Sequence, residues 1–138
     1  MVADITVEER HRLNELVARA VASIIDMDWL QSDVAEWARR TFNEDNRTRY
    51  DIIEGRIVHL QEEVRELADC VLAGSDLDVA KARMEVADCT LLLLGMASAF
   101  GFSLGAAVQE KLEINKARQW GPIGPNGMAK HITEAGRE

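Results

Sequence analysis

Glu63 and Glu66 stand three residues apart, as do Glu85 and Asp88, and Lys111, Asn115 and Arg118 follow downstream. On an α-helix residues three apart share a face. Each pair can therefore present two carboxylates to one point, and two such helices side by side present four. Four hard oxygens in one pocket are ligands for Mg²⁺. A cation-bearing helix beside them has an evident use, gripping the phosphates of a nucleotide while the acids hold the metal.

The elements that must position these groups read as helical almost throughout. Thr6 and Glu9 form a capping box that opens a first helix running to about residue 25. A second covers about 32–41 and ends before a polar turn at 42–47. The third runs over about 50–73, with Gly74 as its C′ residue. Asp76 or Asp78 caps the fourth, which continues to Phe100 with Gly101 behind it. Ser103 caps the fifth, which ends near Trp120 before Gly121 and Pro122. No alternating strand pattern and no repeat interrupts this series, so the spacing predicts an all-α bundle of four to five helices.

Helical phase sorts the polar groups. In the third helix Ile53, Ile57, Leu60, Val64, Leu67 and Val71 form one stripe, a predicted core seam, with Arg56, His59, Glu63, Glu66 and Cys70 on its shoulder and Glu62 opposite. The fourth helix turns apolar on every side beyond Asp88, which predicts a buried central element. Glu85 and Asp88 share a face with Leu92, Gly95 and Ala99, so they lie on a line that is interior one turn later. Carboxylates there need a metal or a cation, and Lys81 and Arg83 are the local alternatives to a metal. On the fifth helix Leu104, Val108, Lys111, Asn115 and Arg118 share a stripe, an apolar seam that turns polar without leaving its face. Pairing of Lys111 and Arg118 with Glu63 or Glu85 is the structural alternative to phosphate binding.

Composition narrows the function classes. The chain has 138 residues, 47% of them hydrophobic, and a net charge of −8, enough for one domain with a core yet small enough to expect self-association. The acidic balance, with pI near 4.9, argues against nucleic acid or an anionic membrane as partner. The longest apolar stretch, 90–102, is too short to span a bilayer, and no secretory pattern opens the chain; the expected location is the cytoplasm. Cys70 and Cys89 read as small buried thiols rather than a disulfide or a zinc site.

The ordered set Glu63-Val-Arg-Glu66, 18 intervening residues, Glu85-Val-Ala-Asp88, and Lys111-Leu-Glu-Ile-Asn115-Lys-Ala-Arg118 resembles the signature of the MazG-like all-α nucleoside triphosphate pyrophosphohydrolases. Residues 37–42, Arg47, Gly55, His59, Leu60 and Glu63, then Asn115 to Trp120 and the Gly/Pro tail before His131, are similar to the phage-type dATP/dGTP diphosphohydrolase branch, to which the MazZ enzymes are close. The resemblance spans about 30–132. It leaves the first helix, 1–28, as an extension, 30–120 as the catalytic core and 121–138 as a tail, a lid or a disordered end. Asn43 stands where that branch leads one to expect Gly.

The resemblance implies hydrolysis of a purine deoxynucleoside triphosphate, dGTP or dATP, between its α- and β-phosphates, in a homodimer or homotetramer encoded by a phage and acting in the host cytoplasm. It implies Glu63, Glu66, Glu85 and Asp88 as ligands of two or more Mg²⁺ ions, replaceable by Mn²⁺, with Glu63 also the acceptor of the water's proton and Glu62 an outer helper. Lys111, Asn115 and Arg118 would hold phosphates and sugar. His59 would touch phosphate or base, and Trp37, Phe42 and Trp120 would offer stacking surfaces. The alternatives are another nucleotide (dCTP, dUTP or phosphoribosyl-ATP), a non-catalytic oligomerisation module, and a di-iron bundle, which lacks the Glu-x-x-His pairs it needs.

Overall fold

The computed structural model describes residues 6–23, 26–72 and 78–132. It contains five helices, α1 (Val7–Ser23), α2 (Met27–Thr41), α3 (Arg49–Leu72), α4 (Val79–Phe100) and α5 (Leu104–Ala117), with a 3₁₀ turn, Glu44–Asn46, between α2 and α3. Among the described residues the only β pairing is an isolated bridge between Trp120 and His131. The predicted Gly74 terminus lies outside the described residues.

Local chemistry accounts for most of the ends. Thr6 and Glu9 exchange the reciprocal bonds of a capping box at α1, and Thr48 and Asp51 do the same at α3. Asp78 accepts from the Lys81 amide to open α4, and Gly101, at φ 86°, closes it in the left-handed region. Helix α2 begins at Met27, five residues before the predicted start, because the Asp26 carboxylate accepts from the Asp28 amide and supplies a cap. Helix α5 stops at Ala117, short of Trp120. There Arg118 turns extended, and the Trp120 indole N–H donates to the Asn115 carbonyl at 3.0 Å.

The packing is built around α4. Helix α3 lies along it most extensively and α2 packs beside it, with α5 in lighter contact with both. Among the described residues Val34 and Ala38 of α2 and Leu94 and Ala97 of α4 are the buried hydrophobic side chains, Leu94 being wholly covered. After Gly101 the chain bends by 102° into α5. Gln31 holds that corner on both sides, donating to the Phe102 carbonyl and accepting from the Leu104 amide, each at 2.8 Å. Ser103 caps α5 and donates to Asp28 at 2.6 Å.

Two predicted core features are only half covered. In α3, Ile57, Val64 and Val71 are about half exposed, because the side turned to α4 is the shoulder that carries Arg56 and Glu63. Helix α4 is covered on one side alone, leaving Met84, Val86, Leu93 and Phe100 open. The chain exposes 11451 Å², against about 7,200 Å² for a compact monomer of 15.4 kDa. Part of the excess belongs to α1, whose described side chains are all exposed. Both cysteines are free and half-buried rather than fully buried.

The tail is folded. The Gly121 amide donates to the Lys130 carbonyl, Gly124 to Met128 and Ile132 to Gln119, and Trp120 meets His131 edge-on with 6.3 Å between ring centres. This hairpin-like arm is tied to α5 through Trp120. No single helix among the described residues is long and apolar enough to cross a membrane.

Leu94→Ala is expected to cost about 2–5 kcal/mol through the cavity it opens, and Ser103→Ala about 1 kcal/mol through loss of the α5 cap, both read from chemical denaturation midpoints.

Candidate active site

Two contacts establish that α3 and α4 run antiparallel and in which register. The Arg56 guanidinium crosses α4 at Gly95, where Nη1 donates to the carbonyl at 2.8 Å. A Cβ at position 95 would stand 3.0 Å from Arg56 Nε, so glycine gives the guanidinium room at the crossing. Toward the other end of the pair, carboxylate oxygens of Glu63, Glu66 and Glu85 all lie within 4.8 Å of one another. The two i,i+3 pairs predicted to meet do so as a three-acid cluster.

Asp88 is not part of that tight group. It stands one turn along α4 and, with Glu63, lines a cavity of about 250 Å³ between α2, α3 and α4. Glu63 thus belongs to both, the cluster and the cavity. His59, one turn before it, approaches it to 2.8 Å through Nε2. Glu62 is exposed on α3.

The electrostatics of the cluster are those of a site waiting for positive charge. Glu85 is only 7% exposed, and among the described residues no Lys or Arg forms an ion pair within 4.0 Å of Glu66, Glu85 or Asp88. Lys81 helps Glu85 from a distance. Burial first, then the neighbouring Glu66, Glu63 and Asp88 carboxylates, hold the Glu85 carboxyl above its ordinary range. Burial and the Glu63 charge likewise push the Cys89 thiol up, so this thiol is a poor nucleophile. Converging oxygens with no cationic side chain among them fit a hard divalent cation, and the donor set agrees with that group.

The rest of the cavity differs in character. Val34, Ala38, Leu91 and Leu92 make its walls apolar, and Trp37 and Phe42 form an aromatic edge, packed at 81° with centroids 5.4 Å apart. Gly55, Arg47 and the paired Arg56 and Glu44 complete the lining. Asn43, the residue in place of the expected glycine, sits at φ 51°, ψ 47°. That is the left-handed conformation glycine takes freely and asparagine tolerates best among the others, so the loop keeps the backbone shape a glycine would permit.

Helix α5 brings its polar stripe elsewhere. Lys111, Asn115 and Arg118 do not line the cavity of their own chain. Lys111 is exposed, while Arg118 donates to the Asn115 side chain at 3.2 Å. Trp120 is engaged with Asn115 and His131. Glu44 and Arg56 are among the lining residues that the sequence reading did not assign to the site. Phase put Arg56 on the shoulder with Glu63, but nothing in the local pattern marked Glu44.

Comparison with known proteins agrees with this geometry. A family described as dATP/dGTP pyrophosphohydrolase matches residues 30–138, leaving α1 before the matched region. The dATP/dGTP diphosphohydrolase of Cyanophage S-2L is 36% identical over 103 residues, 75% of this chain and 85% of that protein. A protein of the same description from Salmonella phage PMBT28 is 33% identical over 108 residues, 78% of this chain but 32% of that longer protein. Among solved structures, the Cyanophage S-2L MazG-like pyrophosphohydrolase bound to dGDP and three catalytic Mn²⁺ ions per active site aligns with a TM-score of 0.60 and 31% identity, over 80% of this chain and 97% of that one. The acid-bearing α3–α4 pair and these matches together establish that the chain belongs to the dATP/dGTP pyrophosphohydrolase family, on a MazG-like all-α fold.

Proposed function

We propose that this protein hydrolyses a purine deoxynucleoside triphosphate, dGTP foremost and dATP second, between the α- and β-phosphates, releasing the monophosphate and pyrophosphate. The observation that carries the reading is one cavity with carboxylates at one end and an aromatic, largely apolar wall at the other. Carboxylates repel phosphates unless cations stand between them, and a flat apolar slot suits a base. The family match and the dGDP in the cyanophage structure support the same choice.

Glu63, Glu66, Glu85 and Asp88 are the residues that would hold the cations. Two or more Mg²⁺ ions, or Mn²⁺ in their place, would neutralise the phosphates and acidify the attacking water. Glu63 accepts the water's proton, and His59, whose Nε2 lies 2.8 Å from that carboxylate, steadies it and passes the proton to solvent, which the exposed imidazole meets. Trp37 and Phe42 stack on the base and exclude water from it. Glu62, on the open flank of α3, acts at most as an outer helper through solvent.

Lys111, Asn115, Arg118 and Trp120 fit this scheme in an oligomer. The uncovered side of α4 and the half-exposed α3 stripe are what a second copy would cover in a homodimer or homotetramer. The polar stripe of one chain's α5 would then hold phosphates and sugar bound at another chain's acids, with 30–120 as the catalytic core. The relatives being phage proteins, the place of action is the cytoplasm of an infected cell.

A panel of eight (d)NTPs with Mg²⁺ or Mn²⁺ tests the reading. Metal-dependent release of pyrophosphate and monophosphate, strongest for dGTP, is expected, and Glu63→Gln should lower kcat roughly 10²–10⁴-fold. Pyrimidine nucleotides cleaved in preference would overturn the base assignment, and no cleavage at all would overturn the enzyme.

The Glu85 environment makes a separate prediction. A carboxyl held above its ordinary value of 4.5 binds its proton more tightly folded than unfolded, so folding loses stability as pH rises from 4.5 through the raised pKa. Without metal, Glu85→Gln should gain thermal stability over the native protein as pH is raised from about 4.3 toward neutrality, and Mg²⁺ should erase that gain by stabilising the native protein alone. A gap that stays constant with pH would contradict it.

A further inference from the structure

Glu44 and Arg56 form an ion pair at 2.5 Å, with side chains only 15% and 11% exposed. Both line the cavity that also holds Glu63 and Asp88. Arg56 precedes Glu63 by seven residues on α3, about 10.5 Å of helix rise, so the pair stands two turns away from the acids, a separation that the sugar and base of one nucleotide bridge.

The 3₁₀ turn that carries Glu44 is held without the pair. Arg39 binds Asp45 at 2.7 Å, the Asn46 side chain donates to Asn43 at 2.8 Å, and the Arg47 amide donates to the Glu44 carbonyl at 3.0 Å. A buried ion pair adds little net stability over an apolar contact of the same size. Its placement in the cavity therefore asks for a use beyond holding the turn.

Chemistry supplies one. Arg56 is anchored on the Gly95 carbonyl and on Glu44 Oε1, which holds the carboxylate in place. Glu44 Oε2 accepts no hydrogen bond among the described residues. A carboxylate is acceptor-only and takes several donors. Guanine presents two adjacent donors, N1–H and the 2-amino group, whereas adenine presents a lone pair at N1, which a carboxylate repels.

Resting on the nucleotide reading above, we propose that Glu44, held by Arg56, is the specificity-determining residue of the site and selects guanine over adenine by accepting from N1–H and the 2-amino group. With adenine in the slot the same carboxylate faces a lone pair and receives no donor, which disfavours that base relative to guanine.

Steady-state kinetics of the native protein and Glu44→Gln on dGTP, dATP and dITP, whose base is guanine without the 2-amino group, test this. The native protein should favour dGTP over dITP by roughly tenfold or more in kcat/KM, the scale of one hydrogen bond to a charged group. In Glu44→Gln that ratio should approach unity and the dGTP preference over dATP should shrink, whereas a purely structural role would lower all three substrates alike. Equal kcat/KM for dGTP and dITP in the native protein overturns the proposal without need of a variant, as does a folded Glu44→Gln with unchanged ratios, and both leave the hydrolase reading standing. Failure of the native protein to cleave any purine triphosphate overturns both readings together.

Discussion

The crossing of Arg56 over α4 at Gly95 governs the site. A side chain at 95 would crowd the guanidinium, and with glycine there the bond to the carbonyl brings the two helices to one register. That register carries the acid-bearing turns of α3 and α4 to the same height, where Glu63, Glu66 and Glu85 converge. A slip of one turn, about 5.4 Å, would part them. The same guanidinium reaches back to Glu44, so one residue ties the loop after α2, the crossing point on α4 and the position of the acids.

The convergence is unfavourable for the bare protein, and that is its meaning. Like charges crowd one another, and Glu85 is withdrawn from water with no cationic side chain among the described residues in contact. Sites that perturb their own carboxylates in this way are poised for a cation. Folding supplies the offset from elsewhere: the buried Leu94 and Ala97 of α4, the Gln31 clamp on the α4–α5 corner, and the caps at Asp26, Thr48, Asp78 and Ser103.

Much of this was legible in the residues. The capping pair at Thr6, the Ser103 cap and the Gly101 terminus act within a single turn, so reading neighbours suffices; the Thr48 and Asp51 pair is equally local but went unread, and Asp78 was one of two candidates. The spacing of Glu63 with Glu66 and of Glu85 with Asp88 placed each pair on one face before any packing was known. Other expectations failed where two elements had to choose a face. The apolar stripe of α3 was expected to be its core seam, yet Ile57, Val64 and Val71 are left half open while the charged shoulder meets α4.

The chain by itself determined its helices, their caps and the i,i+3 pairing of its acids, because those depend on interactions no longer than a helical turn. Only the tertiary structure decided that Glu66 meets Glu85 while Asp88 stands apart on the cavity wall, that Glu44 joins that wall, and that α5 bends away by 102° and carries Lys111, Asn115 and Arg118 off the cavity of their own chain. The reason is degeneracy. A helix as apolar on all sides as α4 offers several equally greasy faces, and which one is covered is settled by the few specific contacts, Arg56 on Gly95 and Gln31 on the corner, that periodicity does not register.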